Sequence, residues 1–181
     1  MQSTTTYRAT VEDFDRLDRE TRVQLIDGVL LQEPAPTYRH QRAVIRLVMA
    51  LGAFVRSHDG EVLCAPIDVE LGVHDVFQPD VIFISEERRS IITEKRIVGA
   101  PDLVIEILSP GTSHYDLHIK KRVYESTGVR EYWIVDPLLE TLDILVNGDR
   151  GFDAVVRVAT VEQVVSAVLP GLVLEPTSLF T

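Results

Sequence analysis

The stretch Pro101-Asp102-Leu103-Val104-Ile105-Glu106-Ile107-Leu108-Ser109 constrains this chain most. Within it Leu103–Leu108 is an apolar run broken only by Glu106, and the stretch is opened by a proline and closed by Pro110-Gly111. A membrane span needs roughly 20 apolar residues, so the run is far too short for one. Its length and β-branched content read as a buried central strand. Alternation then sets Asp102, Val104 and Glu106 on one face, and Leu103, Ile105 and Ile107 on the other. A carboxylate inside such a strand costs several kcal/mol unless it is protonated, paired or bound to a cation. The bland solution is an ion pair with a buried Arg or Lys; the sharper one is a metal site.

Around this strand the signals alternate between helix and sheet. Thr10 followed by Asp13 reads as a helix start over 10–18, with the Thr hydroxyl capping and an acid in the first turn. Asp27-Gly28 between Arg22–Ile26 and Val29–Glu33 is a hairpin signal, since both turn positions favour positive φ. Pro34 and Pro36 break the chain. Val44, Leu47, Val48, Leu51, Phe54 and Val55 then recur at helical spacing over 38–57. The other face of that helix carries Arg39, Arg42, Arg46 and Arg56, ordinarily a solvated face. Val62–Leu71 reads as one alternating strand, Pro79–Ile84 as another, 86–99 as a charged loop, and 113–127 as a helix stopped by Gly128. Strands are expected at 130–135, 141–146 and 152–158, and a short helix with a Pro-Gly turn in the tail 161–180. The expected class is α/β or α+β: a mixed sheet with at least two long helices against it, preceded by an N-terminal hairpin.

Length and charge narrow the function. At 181 residues the chain holds one domain. Its net charge, 18 minus 28, is −10, which argues against coating nucleic acid by bulk charge while leaving room for a local cationic groove. The single Cys64 forms no internal disulfide, so a cytoplasmic setting is expected. Met1–Arg8 lacks the apolar stretch of a signal peptide, and no membrane partner is expected.

Two further residues bear on Glu106. Asp80 opens the strand Pro79–Ile84. An acid there and another within a neighbouring strand can converge at one end of a sheet, where two carboxylates, a main-chain carbonyl and waters suit Mg²⁺. Lys120 falls near the centre of the apolar arc formed by Leu117, Ile119, Val123 and Tyr124, and a lysine aimed at the core needs an anion. Asp116, one turn earlier, is one partner; the Asp80/Glu106 site is the other.

Gln78-Pro79-Asp80, Gly99 to Pro110, Asp116-Leu117 with Lys120 and Tyr124, and Gly128 to Pro137 together resemble the Uma-two family of restriction-type endonucleases, within the PD-(D/E)XK nuclease superfamily. Leu25-Ile26-Asp27-Gly28 and His40-Gln41 resemble its opening hairpin and first long helix. The resemblance implies a restriction-endonuclease-like fold over 1–181 and metal-dependent phosphodiester hydrolysis in DNA. It implies that Asp80 and Glu106 hold Mg²⁺ or Mn²⁺ with the main-chain carbonyl of Ile107. Leu108 stands where the superfamily usually has its lysine, and Lys120 is the match. Gln24 stands where the family often has an auxiliary glutamate. His40 and Tyr124 are candidate accessory residues, Arg39, Arg42 and Arg46 candidate contacts to nucleic acid, and a homodimer is the expected assembly.

Two rivals differ in class or substrate. One is an inactive nuclease-like fold serving as a binding or assembly module; the other is an RNA-directed nuclease. His114 and His118 have i,i+4 spacing that can bind zinc, but no third ligand is apparent.

Overall fold

The computed structural model describes residues 7–18, 22–157 and 163–181. The opening helix, α1 (Val11–Asp15), is shorter than 10–18; Thr10 caps it as expected, and the Asp13 side chain in turn accepts from the Thr10 N–H. The hairpin is β1 (Val23–Ile26) and β2 (Val29–Gln32). Its turn places Asp27 at φ 52° and Gly28 at φ 78°, the conformation for which that pair is suited. The long helix, α2 (Tyr38–Phe54), starts at the Thr37 cap and buries His40, Ala43, Leu47, Leu51 and Phe54.

The expected single strand over 62–71 is two strands. β3 (Glu61–Cys64) and β4 (Val69–Gly72) are separated at Pro66 and join different sheets. A proline has no N–H to give a ladder, and here it ends the first strand. β5 (Asp75–Phe77) follows, then β6 (Val81–Ile84). The charged loop 86–99 holds a 3₁₀ helix, Glu86–Ile91, and a two-residue strand, β7 (Ile97–Val98). The apolar run is β8 (Leu103–Ile107), buried at every position. The helix expected at 113–127 begins as a π-helix, Tyr115–Lys120, and continues as α3 (Lys121–Thr127). Gly128 ends it at φ 89°. β9 (Glu131–Asp136), β10 (Thr141–Gly148) and β11 (Gly151–Arg157) complete the strands. The tail has a 3₁₀ helix at Pro176–Leu179. Residue 158 of the expected last strand, and 161–162 of the expected tail, lie outside the described residues.

The strands form two sheets rather than one. The first runs β2-β1-β5-β4-β7, and the second β11-β10-β9-β8-β6-β3. β8 lies beside antiparallel β6 and parallel β9. Leu103, Ile105 and Ile107 share a core with Ala43, Leu47, Leu51 and Phe54 of α2. Val104 shares the other core with Tyr124 of α3 and Tyr132 of β9. Glu106 therefore sits on the α3 side, as alternation requires. Full burial of each Leu or Ile contributes about 1.5–3 kcal/mol, which makes β8 the strand that both layers depend on. No helix among the described residues is long and apolar enough to cross a membrane.

Candidate active site

The register of the six-stranded sheet brings Asp80 and Glu106 together. Val81 pairs with Ile105 across the antiparallel β6–β8 ladder. Asp80 immediately precedes β6 and Glu106 follows Ile105 on β8, and both line one cavity. Asp80 uses its side chain at this point: Oδ2 accepts a hydrogen bond from the N–H of Ile107 at 2.8 Å. His40 Nε2, from α2, lies 3.2 Å from the same oxygen. The structure thus joins Ile107 to Asp80 through its amide.

Glu106 is buried, and its Oε1 takes two hydrogen bonds. Lys120 Nζ donates at 3.0 Å and the Tyr124 hydroxyl at 2.7 Å. Lys120 also lies 3.0 Å from Asp116 Oδ1. Lys120 therefore bridges Glu106 and Asp116. Burial pushes the Glu106 carboxyl up to about 8, although the Lys120 charge opposes this. Burial likewise raises Asp116, again against Lys120. Burial alone would lower the Lys120 ammonium; the carboxylates of Glu106 and Asp116 outweigh it and hold the group above the usual lysine range. Burial, followed by the Glu106 charge, raises the Tyr124 phenol well above its ordinary value. Lysine stays charged here, and carboxyls compete for that charge.

Asp80, His40, Glu106, Asp116 and Lys120 face a cavity of about 670 Å³ that is also lined by Gln24, Glu33, Val44 and Met49. Gln24 is buried, and its Oε1 accepts from the Gln78 N–H at 2.8 Å. Glu33 was not singled out by sequence. It follows β2 and precedes Pro34, and its place on the cavity wall is what distinguishes it. The arginines of α2 lie elsewhere. Arg42 donates to the Phe180 carbonyl, and Arg46 to those of Ser178 at 3.3 Å and Thr181 at 2.9 Å. Arg39 is exposed, and none of the three lines the cavity.

Other buried acids serve the framework. Asp102 accepts from the Ser85 N–H at 2.7 Å and from Arg130 at 3.0 Å. Glu131 accepts from Trp133 Nε1 at 2.6 Å and from the Ala167 N–H at 2.7 Å. The rings of His114 and His118 are 4.9 Å apart, and no group of three His, Cys, Asp or Glu side chains among the described residues forms a metal cage.

The cavity nevertheless suits a hard divalent cation. Asp80, Glu106, Asp116 and Glu33 supply four carboxyls, against Lys120, Arg22 and His40 as positive or titratable groups on the same wall. His40 Nδ1 is buried without a hydrogen-bond partner. Oxygen donors in excess of protein cations, in a desolvated pocket, are the chemistry that Mg²⁺ favours, and Mg²⁺ needs only one or two carboxylates when water fills the rest of its shell.

A putative nuclease belonging to DUF820 from Anabaena variabilis ATCC 29413 superposes with a TM-score of 0.79 at 21% identity, covering 94% of this chain and 97% of that one. The type IIG restriction endonuclease BpuSI gives a TM-score of 0.37 at 15% identity, covering 66% of this chain and 13% of that one. No curated protein matches the sequence. The Uma2 family, described as "putative restriction endonuclease", matches residues 11–177, and the chain belongs to that family.

Proposed function

We propose that the protein is a metal-dependent endonuclease that hydrolyses phosphodiester bonds, with DNA as substrate and Mg²⁺ or Mn²⁺ as cofactor. The observation that carries this reading is the Lys120 ammonium held between Glu106 and Asp116 beside Asp80 in one cavity. Asp80 and Glu106 are the acids that would hold the cation, with the Ile107 carbonyl as a further oxygen. A divalent cation in such a site supplies positive charge to a scissile phosphate and acidifies bound water.

The chain's own groups perform the rest. Lys120 keeps its proton and offers it as a hydrogen bond to the attacking water or to charge developing on phosphate oxygens. Tyr124 fixes the rotamer of Glu106 by binding one of its oxygens. The Ile107 amide and His40 fix Asp80 in the same way. A homodimer is the simplest assembly that cuts both strands of a duplex with one site per chain. The free Cys64 suits a reducing cytoplasm.

Plasmid nicking tests the reading. Wild type with Mg²⁺ or Mn²⁺ is expected to nick supercoiled DNA, whereas Asp80→Asn and Glu106→Gln are expected to be inactive. Equal nicking by wild type and variants would mean contamination and would end the proposal. Parallel digestion of RNA decides the substrate.

A further inference from the structure

Glu33 stands on the cavity wall outside the group that the sequence singled out. Its N–H donates to the Arg22 carbonyl at 3.0 Å, extending the β1–β2 ladder past Val23 and Gln32. Its side chain is held at both oxygens. Gln24 Nε2 donates to Oε1, and Arg22 Nη2 donates to Oε2 at 3.0 Å.

The orientation of Gln24 follows from its other end. Because Gln24 Oε1 accepts from the Gln78 N–H, its amide nitrogen must face Glu33. The amide oxygen is thereby used, and Gln24 serves as a bracket. It ties Glu33 to residue 78, two positions before Asp80.

Glu33 also shares the charge environment of the cavity. Burial raises its carboxyl; the Lys120 and Arg22 charges oppose the rise, and those of Asp80 and Asp116 add to it. A carboxylate with only a structural role on a hairpin end would face solvent and its arginine. This one lines the same cavity as the acids of the other sheet.

We infer that Glu33, bracketed by Gln24 and Arg22, is a fourth acid of the site and a positioning residue for the divalent cation and its water. The inference rests on the cation-binding reading above. The carboxylate that one would look for at position 24 is supplied from position 33 of the adjoining strand, across a hydrogen bond. Magnesium-like ions keep several waters, and an outer carboxylate that accepts hydrogen bonds from them holds the hydrated ion in place.

The test uses the full chain with Mn²⁺ alone, titrated by the electron paramagnetic resonance signal of the free ion. Glu33→Gln removes the charge at nearly constant shape and keeps an acceptor oxygen for one of the two brackets. It is expected to weaken Mn²⁺ binding about tenfold, in line with the loss of an outer-shell partner. The exchange variant Gln24→Glu/Glu33→Gln returns a carboxylate to the other side of the same hydrogen bond and is expected to regain most of the affinity. Circular dichroism melts establish that each variant is folded. Wild-type affinity in Glu33→Gln would overturn the inference and leave the cation reading intact, as would weakening that the exchange fails to restore. Absence of Mn²⁺ binding by the wild type would overturn both. If Glu33→Gln does not fold, the exchange variant decides alone: affinity near wild type supports the inference, and weak binding overturns it.

Discussion

Lys120 Nζ stands 3.0 Å from Glu106 and 3.0 Å from Asp116, so one buried ammonium serves two carboxyls on different elements. Removing it leaves both without a cation. Lys120→Met is expected to destabilise the fold by about 3–5 kcal/mol at neutral pH, as for other buried pairs broken on one side. Urea denaturation measures this. A loss below about 1 kcal/mol would show that the three groups do not share a charge.

The raised Glu106 carboxyl gives stability a definite slope with pH. Its folded value is about 8 against an ordinary 4.5, so between these the folded state binds more protons than the unfolded one. Metal-free protein should therefore be most stable, as far as this group is concerned, below about 4.5, and lose that contribution as pH rises through about 8. Metal binding has the opposite sign, because a ligating carboxyl must first lose its proton. Mn²⁺ affinity is expected to rise towards pH 8. Affinity independent of pH over this range would exclude Glu106 as a ligand.

Tyr124 separates orientation from packing. Its hydroxyl donates to Glu106, a contact that favours the ionised carboxyl. Tyr124→Phe should cost about 1–2 kcal/mol by denaturation. It should also move the pH profile of Mn²⁺ binding to higher pH, since the carboxylate loses a donor. A change in stability with no shift of the profile would make Tyr124 a core residue only.

Asp102 lies on the strand of Glu106 but serves the framework, with Ser85, Arg88 and Arg130 around it. Asp102→Ala is expected to lower stability by about 2–3 kcal/mol while leaving Mn²⁺ affinity in the folded protein unchanged. Calorimetric titration would reveal any loss of binding.

The arginines of α2 divide in a similar way. Arg42 and Arg46 hold carbonyls of the last residues, whereas Arg39 is exposed. Arg42→Ala should lower the melting temperature. Arg39→Ala should leave it unchanged and, if this face meets nucleic acid, reduce the salt dependence of DNA binding by about one phosphate contact. An unchanged salt slope would remove Arg39 from the interface.

Much of this arrangement was legible in the residues. The β8 run disclosed its own burial, Asp27-Gly28 disclosed a turn, and the arc around Lys120 disclosed a lysine directed inwards. What was hidden depended on distant partners. The run 62–71 has continuous strand propensity, and only tertiary pairing divides it at Pro66 between two sheets. β5 and β7 are too short to carry a period. The contact of Arg42 with Phe180 spans 138 residues and leaves no local trace. Glu33 looked like any acid at the end of a hairpin, because what makes it part of the site is a wall contributed by β6, β8 and the helix after them.

Asp80 borrows the amide of Ile107, and this has a consequence for how such a protein changes over time. The carboxylate is a rung of the sheet as well as a candidate ligand, so a chain that discards the chemistry still has a mechanical reason to keep an acceptor at position 80. Asparagine is the replacement that preserves the rung. An inactive descendant of this fold would therefore carry its former site as an intact seam between β6 and β8, differing from an active one by little more than a single charge.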